Sequence, residues 1–183
     1  VPTDLKDGML DVAALEAMIT DRTAAIMLTN PNTLGIFNSK IEQVVKIAHS
    51  RDALVYYDGA NLNAVLGKFR PGDAGIDVMH INLHKTFATP HGGGGPGAGP
   101  VGVKKHLIDY LPISRVVKRK DNTYTLDYDY PKSIGYIAPF YGNFSVCLMA
   151  YSYILLLVAE CLIEVSENSV LNANYVLNAL KGV

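Results

Sequence analysis

Apolar positions along the chain fall into two rhythms. Short unbroken runs at 24–29 and 53–57, and a β-branched run at 77–83, predict strands, the first two buried on both faces. Between them the spacing changes to that of helices. Residues 11–19 carry Val12, Leu15 and Ile19 behind an acidic N-cap, and residues 41–50 carry Ile41, Val44, Val45 and Ala48. Further on, 101–103 reads as a strand and 104–108 as a short helix or turn. A hairpin of 115–117 with 123–126 follows, then an apolar core helix over 143–164 and a second helix over 167–180 bearing Val170, Leu171, Tyr175 and Leu180. Strand, helix and strand in alternation predict an α/β fold with a mostly parallel sheet flanked by helices.

Ligands of such sheets gather beyond the carboxyl ends of the strands. Those ends carry Thr29-Asn30-Pro31-Asn32, Asp58-Gly59-Ala60-Asn61 and Leu83-His84-Lys85. Three polar clusters at equivalent positions outline a site. Lys85 stands out: it follows an apolar strand, between a histidine and a threonine, and precedes a loop of Gly and Pro. A lysine so placed is suited to Schiff-base chemistry with a carbonyl, a substrate's or that of pyridoxal phosphate, or else it is a plain surface lysine. Asp58, at the end of the neighbouring strand, can pair with a protonated pyridine nitrogen, although an Asp-Gly pair is also common turn chemistry.

The other candidates have two readings each. Ala60 leaves room for a flat ring, or fills a tight turn. His84 can contact the cofactor or shuttle a proton, or it is a hydrogen-bonded packing residue; His80, four positions earlier, is read as structural. Thr29, Asn30 and Asn32 can meet a ring hydroxyl or a substrate carboxylate, or shape the turn around Pro31. His91 opens the glycine run as a polar participant or a turn residue. The run at 92–99 does not match the nucleotide P-loop, since no Lys-Ser or Lys-Thr follows it. Strand-like flanks and Pro90, Pro96 and Pro100 predict an ordered loop whose backbone N–H groups can face an anion.

Composition narrows the alternatives. The 183 residues suffice for one domain with a sizeable core, and 49% hydrophobic with 18% charged residues is ordinary for a globular protein. A net charge of −1 offers no footprint for nucleic acid or an anionic membrane. Cys147 and Cys161, fourteen positions apart on one straight helix, would lie about 21 Å apart and could not bridge. With no CxxC pair and no Cys/His metal cluster, they point to a reducing, cytoplasmic setting. The apolar run 146–159 is shorter than the roughly 20 residues a membrane span needs.

Asn82-Leu83-His84-Lys85-Thr86-Phe87, followed by Thr89-Pro90-His91 and the glycine run to Val103, resembles the cofactor-lysine segment of glycine dehydrogenase (decarboxylating), the P-protein family of the glycine cleavage system. Thr29-Asn30-Pro31-Asn32-Thr33-Leu34-Gly35, Tyr57-Asp58-Gly59-Ala60-Asn61-Leu62-Asn63-Ala64, Tyr141-Gly142-Asn143-Phe144 and the stretch from Glu164 to Tyr175 are similar to the same family. The last two, with Lys132-Ser133-Ile134-Gly135, look closest to subunit 2 of its two-subunit bacterial and archaeal form. The resemblance implies an aspartate-aminotransferase-like large domain of fold type I, spanning 1–183, with helices of about 143–183 leading toward a small domain. It implies that Lys85 holds pyridoxal 5'-phosphate, that Asp58 pairs with its ring nitrogen and that His84 lies beside the Schiff base.

The implied reaction is decarboxylation of glycine with transfer of the aminomethyl group to the lipoyl arm of H-protein, in a hetero-oligomer with subunit 1. The family's upstream phosphate and ring-stacking contacts and its small domain are absent, so the expectation is a piece cut at both ends and inactive alone. Val158-Ala159-Glu160-Cys161 stands where the family has glycines. The rival readings are another fold type I enzyme, an aminotransferase or cysteine desulfurase-like protein, and a non-catalytic assembly piece.

Overall fold

In the computed structural model, residue 1, residues 7–138 and residues 140–182 are described. The chain divides into two compact units, one formed by Val1–Gly102 with Gly142–Val183 and the other by Val103–Tyr141.

The first unit is built on parallel β structure. Helix α1 (Val12–Met18) starts where Asp11 caps it, its carboxylate accepting from the Ala14 N–H, an arrangement worth about 1 kcal/mol. Strand β1 (Ala25–Thr29), helix α2 (Ile41–His49) and strand β2 (Leu54–Asp58) follow, then strand β3 (Val78–His80), the single helical turn α3 (Leu83–Thr86) and strand β4 (Val101–Val103). The sheet order is β1-β2-β3-β4, with β1, β2 and β3 parallel. Val44, Val45 and Ala48 of α2 are buried, as are Val55 and Tyr57 of β2, and all of these but Val44 join Ile41, Ile76, Leu83 and Phe87 in one core. Each such side chain contributes about 1.5–3 kcal/mol by leaving water.

Three expectations are corrected here. Strand β1 is not buried on both faces: Ile26 and Leu28 pack on the core, but Met27 points the other way and is 65% exposed, because no described residue covers it. The third strand ends at His80 instead of Leu83. There the chain turns, with Asn82 N–H donating to the Ala60 carbonyl at 3.2 Å and Lys85 N–H to the Asn82 carbonyl at 3.1 Å, so Lys85 sits in a helical turn just past the strand.

The third correction concerns the C-terminal helices. They form one element, α4 (Phe144–Ala179), broken at Val158 and not near 165. Nothing between Glu164 and Glu167 interrupts a helix, and Ser169 donates to the Val165 carbonyl at 2.7 Å. Nor is its first half a core helix: Val146 and Ala150 reach the core and Tyr153 packs edge-on to Phe87 with ring centres 6.3 Å apart, while Leu155 and Leu156 are exposed. By length and composition α4 is apolar enough to cross a membrane. Its buried side chains and the Lys68–Glu167 ion pair tie it instead to the sheet unit.

The second unit holds a 3-10 turn at Lys105–Tyr110 and the antiparallel hairpin of β5 (Arg115–Lys118) and β6 (Tyr124–Asp127). The Arg115 guanidinium lies 3.6 Å from the centre of the Tyr130 ring and donates to the Asp109 and Leu111 carbonyls, a cation–π contact that fixes the hairpin's start.

Candidate functional site

Strand register brings the predicted clusters level. Thr29 pairs with Asp58 across β1 and β2, and Asp58 with His80 across β2 and β3, so three strand ends close on one line. The loop after β1 is braced from within. The Asn30 carbonyl accepts from the Tyr57 hydroxyl, which burial, and secondarily the Asp58 charge, pushes up to about 12. The buried Asn30 side chain exchanges hydrogen bonds with the backbone of Asn38 at 2.8 and 3.3 Å. Asn32 accepts from Leu34 and Ile36 and donates to the Gly8 carbonyl at 2.9 Å. Both asparagine side chains are thus engaged by loop backbone.

The turn after β2 is tethered to the lysine segment. The Asp58 carboxylate accepts from the Ala60 N–H at 3.0 Å, and the buried Thr86 hydroxyl accepts from the Leu62 N–H at 3.0 Å. At Gly59 a β-carbon would stand 2.8 Å from the His80 carbonyl and 2.8 Å from the Tyr57 ring, so only glycine permits so close an approach of β2 and β3. These contacts hold Asp58 and Lys85 in one frame, whichever loops move around them.

Lys85 opens into a cavity of about 680 Å³ lined by Thr29, Asn32, Asn61, Asn63, Ser169 and Asn174, among others. Among the described residues no carboxylate pairs with its ammonium. Asp58, Ala60, Asn30, His84 and His91 do not line this cavity, nor does the glycine run. His84 and His91 meet edge to face with ring centres 4.5 Å apart, and His84 Nδ1 is buried without a hydrogen-bond partner. Desolvation, then the charges of His91 and Lys85, hold the His84 imidazole below its ordinary value. In the glycine run the turn closes with Gly95 N–H donating to the Gly92 carbonyl at 3.1 Å; Gly92 has φ +64°, and a β-carbon there would strike Pro96.

Sequence reasoning missed several participants. His80, read as structural, is half-buried and places Nε2 3.3 Å from Asp58 Oδ1. Its position at the end of an apolar strand, as Asp58 is at the end of another, is the signal that could have paired them. Asn61, Asn63 and Asn174 line the cavity, and Asn174 comes from α4, more than a hundred residues away; nothing local in the sequence marks it.

The residues present suit an aldehyde cofactor with a pyridine ring. The test is chemical: an amine without an ion pair among the described residues lines a cavity, and at a neighbouring strand end a carboxylate keeps Asp58 Oδ2 unengaged among those residues while Oδ1 takes the Ala60 hydrogen bond and the His80 contact.

Comparison with known proteins agrees with this frame. The profile of the family described as Aminotransferase class-V matches residues 1–112. The chain is 58% identical over 177 residues to a protein named "Probable glycine dehydrogenase (decarboxylating) subunit 2" from Caldanaerobacter subterraneus subsp. tengcongensis, covering 97% of this chain and 36% of that protein. It is 57% identical over 178 residues to the protein of the same name from Pyrococcus abyssi, with the same coverage. The chain therefore spans about 36% of the length of these curated relatives. Among solved structures, the cysteine desulfurase CsdA of Escherichia coli superposes with a TM-score of 0.57 at 22% identity, covering 85% of this chain and 37% of that one, a likeness of fold. With an α/β frame, aligned strand ends and a family match over more than half its length, this chain belongs to the class-V aminotransferase family.

Proposed function

We propose that the chain is the cofactor-lysine part of a pyridoxal-phosphate enzyme that decarboxylates glycine and passes the aminomethyl group to a lipoyl arm. The observation that carries the reading is Lys85, without an ion pair among the described residues, lining a cavity together with Thr29 and held in one hydrogen-bonded frame with Asp58. When bound, the cofactor supplies an electron sink for the pair left on carbon as CO₂ departs. Lys85 would hold the cofactor through Nζ at its aldehyde carbon. Asp58 Oδ2 holds the proton on the ring nitrogen, and Ala60 leaves room for the ring.

Thr29 orients the ring hydroxyl and Asn32 lines the substrate side, while Asn30, buried and bonded to the Asn38 backbone, braces the loop from within. His84 moves a proton at Nδ1, an atom with no hydrogen-bond partner among the described residues. The carbon left after CO₂ departs joins one sulfur of the lipoyl disulfide, and the other sulfur becomes a thiol. The relatives' printed name, a second subunit, supports work beside a further subunit, and lipoylated H-protein is the carrier that the proposed transfer calls for. Cys147 and Cys161, both free, suit a reducing cytoplasm.

The test is the visible absorption of the protein with pyridoxal phosphate, followed by borohydride reduction and peptide mapping. A reduced adduct on Lys85, abolished in Lys85→Ala, is the expected result. An adduct on other lysines alone, or none on the full-length protein, overturns the reading.

A further inference from the structure

Asp58 and His80 are register partners on parallel strands, and Tyr56, two residues before Asp58, shares its face of β2. Their side chains form a chain of contacts. His80 Nε2 lies 3.3 Å from Asp58 Oδ1, and His80 Nδ1 lies 2.8 Å from the Tyr56 hydroxyl. The link from Tyr56 to His80 is a hydrogen bond and the link from His80 to Asp58 a close polar contact, and the carboxylate sets the tautomer that suits both. An ionised carboxylate can only accept, so Nε2 must carry the proton. In a neutral imidazole Nδ1 is then the acceptor, and the Tyr56 hydroxyl must donate to it. Tyr56 keeps its proton for this purpose, since burial, and then the charge of Asp58, raise its ionisation above the ordinary phenol value.

We propose that His80, oriented by Tyr56, is a positioning residue for the cofactor-binding carboxylate: it locks Asp58 Oδ1 and so aims Oδ2 at the ring nitrogen. This rests on the reading of Asp58 given above. The Ala60 N–H donates to Oδ1 and the His80 ring faces the same oxygen at 3.3 Å, which leaves Oδ2 as the oxygen unengaged among the described residues. A neutral histidine suits the task better than a lysine or arginine would. It presents an N–H to the carboxylate without cancelling its charge, so the full negative charge remains for the protonated ring nitrogen. The bracing also reaches into the sheet, because the Tyr56 and His80 rings, carried on the paired strands β2 and β3, lie 5.7 Å apart.

The test uses the full-length protein in two forms. Without cofactor, ¹⁵N-histidine spectra, with His80 assigned by the signal lost in His80→Gln, should show a neutral ring protonated at Nε2, and Tyr56→Phe should move the Nδ1 resonance toward that of a free acceptor. A ring protonated at Nδ1 overturns the proposal. With pyridoxal phosphate, His80→Phe, which removes the donor, should weaken binding about tenfold, the worth of one hydrogen bond to a charged group. His80→Gln, whose amide can donate from nearly the same place, should stay within about threefold of the parent.

Equal weakening by Phe and Gln, or no weakening by Phe, overturns the positioning role while leaving the Lys85 adduct intact. If Lys85 is labelled but Asp58→Asn binds the cofactor as tightly as the parent, the reading of Asp58 itself falls, and His80's purpose with it. Should His80→Phe not fold, Tyr56→Phe serves as the milder variant: a loss of about threefold supports the proposal and none overturns it.

Discussion

At the scale of single residues, the site is defined by which polar atoms are committed and which are left over. Asn30 and Asn32 spend their amides on loop backbone, whereas His84 Nδ1 has no partner and Lys85 no counter-ion among the described residues. His84 is held neutral by desolvation, with the charges of His91 and Lys85 acting in the same direction. In a ¹⁵N or proton titration, its midpoint should therefore fall below that of a free imidazole, and His91→Asn should raise it. The sign for stability follows. Between the lowered folded value and the ordinary unfolded one, the unfolded chain binds more protons, so His84 makes the fold less stable as pH falls through that window, and below it the cost is fully present. A midpoint at or above the free value in the folded protein would remove His84 as a neutral proton carrier near pH 7.

At the scale of elements, α4 carries the plainest conflict between sequence and backbone. Val158 sits at φ 52°, ψ −177°, a region that a β-branched residue tolerates poorly and glycine freely. It lies in the stretch where the resembled family has glycines. Val158→Gly should relieve the strain and raise stability by about 1 kcal/mol, read as a higher midpoint in thermal or urea unfolding; a loss of similar size would mean the break is not a strained one. The sequence was a good guide to what local pattern controls. The periods of 11–19 and 41–50, the apolar runs that became β1 and β2, and the hairpin near 115–127 were all legible, as was the alignment of Thr29 and Asp58 at strand ends, whereas Lys85 lies in a helical turn beyond its strand. It was a poor guide to what tertiary partners control. Met27 reads as buried and is exposed, because burial depends on a covering layer that an apolar run cannot report. His80 reads as a strand residue because its contact with Asp58 depends on register, and Asn174 reads as helix surface because only folding brings it to the cavity.

At the scale of the whole molecule, the outstanding feature is how much apolar surface α4 leaves in water. Leu156 is 81% exposed, Leu171 65% and Tyr175 74%, and beyond Ser166 no described residue of the helix is buried. Isolated exposed leucines are unremarkable, but α4 carries clustered exposed apolar side chains over 148–158 and again over 170–177. The ion pair that holds its second half, Lys68 with Glu167, joins two exposed side chains and contributes at most about 1 kcal/mol. Such surface lowers its free energy by finding a cover, and in a solution of the 183-residue chain alone the available cover is another copy. Sedimentation velocity of that chain should therefore show association that grows with concentration, and replacing Leu155 and Leu156 by Lys should shift it toward monomer. A chain that stays monomeric across the range would show that α4 folds back on its own unit in solution, and the exposure of Leu156 would then have no bearing on assembly.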